Sequence, residues 1–140
     1  MKNSSLLLIA TIILISVNTF ADFTGTWIGS GEIQRPTREG SCKDVEIRLI
    51  QTQKKLTLRG GHYNCDGISA EYPYSVFSIR DGKLYEREKF VGEITDKKIK
   101  LVSPADGYEL NFNLYKGKLY LVESWIDGDD YLVIGAELTK

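Results

Sequence analysis

The sequence has one histidine, two cysteines and no run of basic residues. Its 18 Lys and Arg stand against 19 Asp and Glu, a formal net charge of −1. That balance argues against nucleic acid as a partner. One histidine, His62, cannot complete a zinc set with Cys42 and Cys65. There is no glycine-rich phosphate loop, no cluster of metal-ligating residues and no serine elbow. With no catalytic constellation to name, the reading is of a protein that is not an enzyme, with no cofactor and no metal site. Beyond residue 21 no segment carries a long apolar stripe at helical spacing, which excludes a helical fold. Low-complexity tracts and internal repeats are absent too.

What is present begins with a leader. Lys2 gives a short positive region, Leu6 to Val17 is mostly apolar, and Thr19 and Ala21 are small. This is the pattern of a signal peptide over residues 1–21, cleaved between Ala21 and Asp22. The apolar run falls short of the about 20 residues that a spanning helix needs, so no membrane span is expected after cleavage. No cysteine follows the cleavage point to take a lipid. The remainder, 22–140, is one domain's worth of chain. The expected location is secreted or periplasmic, and the lack of glycosylation sequons beyond the leader fits a bacterial origin. In an exported chain Cys42 and Cys65 read as a disulfide. It would close a loop of about two dozen residues and contribute on the order of 3 kcal/mol by the chain-entropy argument.

Nearly every segment after the leader alternates. Leu110, Phe112 and Leu114 alternate with Asn111, Asn113 and Tyr115, and Val45, Ile47 and Leu49 with Glu46 and Arg48. A period of two marks strands with one dry and one wet face. Strands are expected over 23–33, 44–52, 55–62, 74–80, 83–89, 90–95, 98–103, 107–115, 118–126 and 131–139. The fifth and sixth could be one bent strand with Gly92 at a bulge. Asp81-Gly82, Thr95–Lys98, Lys116-Gly117-Lys118 and Asp127–Asp130 supply short turns. Two longer loops are expected, Gln34–Ser41 and Asn64–Pro73.

Turn positions fix the register. A turn at Gln53-Lys54 sets Leu49 opposite Leu58, Ile50 opposite Thr57 and Cys42 opposite Cys65. It also sets Arg48 opposite Arg59, which only an exposed face would accept. Centring the later turns at Lys116/Gly117 and Gly128/Asp129 pairs Leu114 with Leu119, Phe112 with Leu121, Leu110 with Glu123 and Tyr108 with Trp125. On the other side Trp125 meets Leu132, Glu123 meets Ile134, Leu121 meets Ala136 and Leu119 meets Leu138. One apolar face then runs across three strands, and a slip of one residue would scramble it. A meander of about eight to ten antiparallel strands has two open edges, and closure into a barrel removes both. The first strand would then pair with the last.

That closure explains Gly25, Gly29 and Gly31 around Trp27: glycines permit a bend and the close approach of a neighbouring backbone. Trp27 would plug one end of the barrel and needs a partner for its indole N–H. Gly25-Thr26-Trp27, just inside the expected mature N-terminus, resembles the first-strand Gly-x-Trp motif of the calycin superfamily: lipocalins, fatty-acid-binding proteins and avidins. The resemblance implies an all-β, up-and-down antiparallel barrel, lipocalin-like, whose wide end binds a small, usually apolar ligand. Lipocalins carry a basic residue late in the barrel to cover the tryptophan. Here the chain ends in Lys140 with no arginine nearby, and no avidin biotin-site pattern is present.

Glu123 is the sharpest candidate. The register puts a carboxylate on the apolar face, which is costly unless it is paired or neutralised. Either it meets a ligand or serves as an acid or base in the barrel, though no second catalytic group can be named beside it, or it pairs with an inward arginine such as Arg80 or Arg87, or it sits near the wet mouth. Tyr63, Tyr72 and Tyr74 cluster at the second long loop and suit a ligand mouth, an interface or plain packing. Tyr120, Val122, Ile126, Tyr131 and Val133 share the outer face of the last hairpin, a patch for an oligomer or partner if uncovered. His62 reads as structural, and Asp127–Asp130 as a solvated turn. The leading expectation is non-covalent binding of a small apolar or amphipathic ligand by Trp27, Phe112, Glu123 and Trp125. The alternative is a protein-binding envelope module, an inhibitor or assembly factor with a solidly packed core.

Overall fold

The computed structural model describes residues 22–140; the leader reading over 1–21 lies outside the described residues. Eleven strands follow one another: β1 (Gly25–Arg35), β2 (Arg38–Gln51), β3 (Lys55–Cys65), β4 (Ile68–Tyr72), β5 (Ser75–Arg80), β6 (Lys83–Glu86), β7 (Lys89–Ile94), β8 (Lys98–Ser103), β9 (Tyr108–Tyr115), β10 (Lys118–Asp127) and β11 (Asp130–Thr139). A 3₁₀ turn, Pro104–Asp106, links β8 to β9. Sequential neighbours pair antiparallel, β1 pairs with β11, and β2 pairs with β3, so ten strands close into an up-and-down barrel. β4 and β5 share one edge of β3: β4 pairs with its second half and β5 with its first.

The register of the last three strands is as the alternation predicts, from Leu119 against Leu114 and Leu138 up to Trp125 against Tyr108 and Leu132. The β2–β3 hairpin differs in its middle. Leu49 faces Leu58 and Cys42 faces Cys65, but Arg48 faces Gly60, not Arg59. A bulge at Arg59 shifts the pairing by one, and a second at Lys43, on the opposite strand, restores it. Each bulge also switches which parity points inward: Leu56 and Leu58, then Tyr63 and Cys65. The disulfide Cys42–Cys65 forms where the two offsets have cancelled.

Both expected long loops are mostly strand. β1 and β2 run almost to a tight turn at Pro36-Thr37, and Asp66-Gly67 turns β3 into β4. The expected loop 64–73 is therefore largely sheet. The fifth and sixth segments are two strands, β6 and β7, joined at Arg87-Glu88, both with positive φ (47° and 66°). Gly92 stands beside a bulge, where the partner step from Leu84 to Tyr85 skips from Gly92 to Phe90.

The barrel's two ends differ. The start of the described chain, the turns 52–54, 81–82, 95–97 and 116–117, and Lys140 lie at one end. There Phe23 and Trp27 are buried, and Trp27 donates its indole N–H to the Phe23 carbonyl at 2.8 Å. Lys140 Nζ lies 4.8 Å from the Trp27 ring centroid, so a lysine covers the tryptophan. A side chain on Gly25, whose φ is 151°, would displace that lysine. Gly29 and Gly31 let β11 close on β1: a Cβ at either would overlap the carbonyl oxygen of Glu137 or Gly135. Above this end the interior is aliphatic and aromatic, with Ile47, Leu56, Ile99, Phe112, Leu119, Leu121 and Leu138 all buried.

Candidate functional site

The opposite end holds the turns 36–37, 66–67, 87–88, 104–107 and 128–129, and there the interior changes character. Among the described residues Glu123 is the one buried polar or charged side chain, 3% exposed. It reaches that position because β10 keeps strict alternation through Leu119, Leu121 and Glu123, with Leu110 and Ile134 beside it.

Its partners are not arginines. The Tyr72 hydroxyl donates to Glu123 Oε2, and Trp125 Nε1 donates to Oε1 at 3.1 Å. Arg80 instead pairs with Glu88 and lies over the Tyr85 ring. None of the salt bridges among the described residues involves Glu123. Two more rings complete the surround. Tyr63 meets Tyr72 edge to face with centroids 5.8 Å apart, and Tyr108 packs on Trp125 at 4.4 Å. Four aromatic side chains from β3, β4, β9 and β10 therefore converge on one carboxylate.

Burial pushes the Glu123 carboxyl above its ordinary range, while the bonds from Tyr72 and Trp125 pull the other way. Burial, and then the nearby Glu123 charge, hold the phenols protonated: Tyr63 is pushed up to about 12, and Tyr72 and Tyr108 higher still. At neutral pH the phenols thus serve as hydrogen-bond donors.

A cavity of about 250 Å³ opens beside this group. Leu58, Phe77, Leu101 and Leu110 give it apolar walls, and Tyr72 and Tyr108 supply its polar side. The opening follows from strand length. β6 and β7 are short and pair with β5 and β8 only over Ser78–Arg80 and Ile99–Leu101. The upper parts of β5 (Ser75–Phe77) and β8 (Val102, Ser103) are left without a neighbour between them, and Glu86 and Lys89 stand at the rim. A larger hollow of about 450 Å³ lies among the turns at the Trp27 end, lined by Asp22, Gln51, Thr52, Ile79 and Asp96, but no buried polar side chain faces it.

No protein-family model matches this chain, and no curated protein matches its sequence. The site must therefore be read from its own chemistry.

Of the four residues expected to bind a ligand, the fold brings two together. Glu123 and Trp125 are hydrogen-bonded, with Trp125 43% exposed. Trp27 closes the far end, and Phe112 is buried between Ile99 and Leu121. None of the four lines the lateral cavity, which Glu123 meets only through its partner Tyr72. The Asn64–Pro73 stretch, expected as a long loop, carries β4 instead and directs Tyr72 inward; of Tyr63, Tyr72 and Tyr74 only Tyr74 stays exposed. The outer face of the last hairpin does expose Val122, Ile126 and Tyr131. His62 pairs with Asp44 at 3.0 Å on the outer surface. No group of three metal-ligating side chains occurs among the described residues, the 127–130 turn included. No helix among them is long and apolar enough to cross a membrane.

Sequence reasoning missed Tyr63, Tyr72 and Tyr108 as partners of Glu123. The signal for Tyr108 was there, since the register already set it opposite Trp125. Tyr63 and Tyr72 depend on the bulge at Arg59 and on β4.

Proposed function

We propose that this barrel binds a small amphipathic ligand in the half that contains Glu123. The observation that supports it most is a buried carboxylate held by neutral donors beside a cavity with apolar walls. Packing alone would not retain it, because a buried charge costs several kcal/mol unless something offsets it. At about 250 Å³ the cavity lies just under the roughly 300–1,000 Å³ typical of drug-sized ligand sites, so the ligand is small. Its apolar part lies against Leu58, Phe77, Leu101 and Leu110, and its polar end meets Tyr72 and Tyr108 and, past Tyr72, Glu123. Trp125 holds Glu123 from the side of a separate hollow that it lines with Arg35, Asp106 and Tyr131. Trp27 and Phe112 hold the barrel shape and do not touch the ligand.

The lipocalin-like reading rests on the barrel, the Gly25-Thr26-Trp27 strand and the lysine over Trp27. Export to an oxidising, secreted or periplasmic location is supported by the disulfide. The proposed activity is binding, without turnover.

Native mass spectrometry of protein purified without detergent tests the reading. A discrete added mass is expected, and Leu101→Phe, which fills the cavity, should lose it while staying folded. A clean mass for both proteins, with no small molecule recovered by extraction, would sink the proposal.

A further inference from the structure

We infer that the ligand's polar end is an organic ammonium group, seated against Glu123 inside a cage of Tyr63, Tyr72, Tyr108 and Trp125. This rests on the ligand-binding reading and narrows it to one charge class.

Charge balance comes first. Tyr72 and Trp125 hold Glu123 in place but bring no positive charge to it. Each carboxylate oxygen has two acceptor positions, and the two donors fill one on each. Acceptor capacity for an ammonium with its three N–H groups remains. The surround adds to this. Aromatic faces carry negative potential and attract cations, more so out of water. Tyr72 and Trp125 spend their O–H and N–H on the carboxylate, so aromatic contact for a cation comes from the Tyr72 and Tyr108 rings that line the cavity, and the carboxylate itself disfavours an anion. A neutral hydroxyl would gain a hydrogen bond but leave the charge uncompensated.

The route is set by Tyr72, which both lines the cavity and bonds Glu123. Tyr108 likewise lines the cavity and packs on Trp125. Glu123 itself does not line the cavity, so a ligand whose apolar body fills it places its head group at Tyr72 and Tyr108, and reaches the carboxylate past Tyr72. At the rim Glu86 and Lys89 offset each other, so the entrance selects neither sign. The titratable groups facing Glu123 are Tyr63 from β3, Tyr72 from β4 and Tyr108 from β9, all neutral at pH 7.

The test uses three probes of matched shape: 2-phenylethylamine, 2-phenylethanol and phenylacetate. Each is titrated into the ¹⁵N-labelled, oxidised protein at neutral pH while the two indole N–H signals are followed. The amine should shift the Trp125 signal and leave that of Trp27, at the far end, in place. It should bind at least tenfold tighter than the alcohol, and the carboxylate should not bind. Glu123→Gln should erase the preference for amine over alcohol. If the alcohol binds within tenfold of the amine, or the preference survives Glu123→Gln, the ammonium inference falls while the ligand-binding reading stands. If no probe moves the Trp125 signal at millimolar concentration, the ammonium inference falls, and the native mass spectra decide the ligand-binding reading separately. Should Glu123→Gln not fold, the three-probe comparison on the unaltered protein decides alone.

Discussion

Glu123 is a side chain that the proposed binding site needs and that burial opposes. Its carboxyl is raised by burial, so the folded state holds the proton more tightly than the unfolded chain does. A group of this kind stabilises fully below its unfolded pKa, and that contribution is lost as pH rises through the folded value. Glu123→Gln keeps the shape and both partners, since a Tyr72 hydroxyl can accept from an amide as readily as it donates to a carboxylate. The variant should therefore melt a few degrees above the parent at neutral pH. The gap should close as pH falls toward the ordinary carboxylate range. Melting curves across that interval check it, and a gap that widens on acidification would contradict the assigned direction. Tyr72→Phe acts oppositely. It strips a donor from a buried carboxylate and should cost about 1–3 kcal/mol at neutral pH, read by urea unfolding.

Among the elements, the lengths of β6 and β7 matter most for the site. Their hairpin ends before the tops of β5 and β8, and this shortfall makes the lateral opening. The backbone amides of Ser75–Phe77 and Val102–Ser103 have a strand partner on one side only. Hydrogen exchange should be faster there than in β10 over Leu119–Trp125, which is paired on both sides. Equal protection would mean that the gap is closed in solution. β1 makes the opposite use of its geometry. Gly31→Ala would drive a Cβ into the Gly135 carbonyl oxygen of β11. It should cost upward of about 2 kcal/mol by forcing the closing pair apart, as overpacking does elsewhere, and denaturant unfolding measures it.

For the whole molecule, closure makes the fold cooperative and the disulfide fixes the part most in need of it. The β2–β3 hairpin carries two bulges, so its register is the least protected by simple alternation. Cys42–Cys65 pins it beyond both. Reducing the disulfide should lower stability by about 2–4 kcal/mol, seen as a shift of the unfolding midpoint with reductant. A midpoint that does not move would show that closure alone holds the register. The hairpin also sets the site, because the bulge at Arg59 is what turns Tyr63 inward. Misregister there would remove a wall of the cage while leaving the sheet intact.

The sequence alone determined that the chain is all-β, which strand follows which, that the first meets the last, and how β9, β10 and β11 align. Those follow from local alternation and two-residue turns, which one stretch of chain expresses by itself. It also placed Glu123 on the inner face and Cys42 opposite Cys65, the latter correctly although the pairing between is offset. The turn at Arg87-Glu88 was not legible, because neither residue is the glycine or asparagine that such a turn usually takes. β4 was hidden by the Asp-Gly and Pro that bracket it. Only the tertiary structure decided what surrounds Glu123. Bulges carry no fixed sequence mark, yet each one reverses which residues face inward. Four aromatic rings from four strands meet at one carboxylate only once the barrel has closed, and a contact between distant strands is a property of the closed sheet, not of any segment in it.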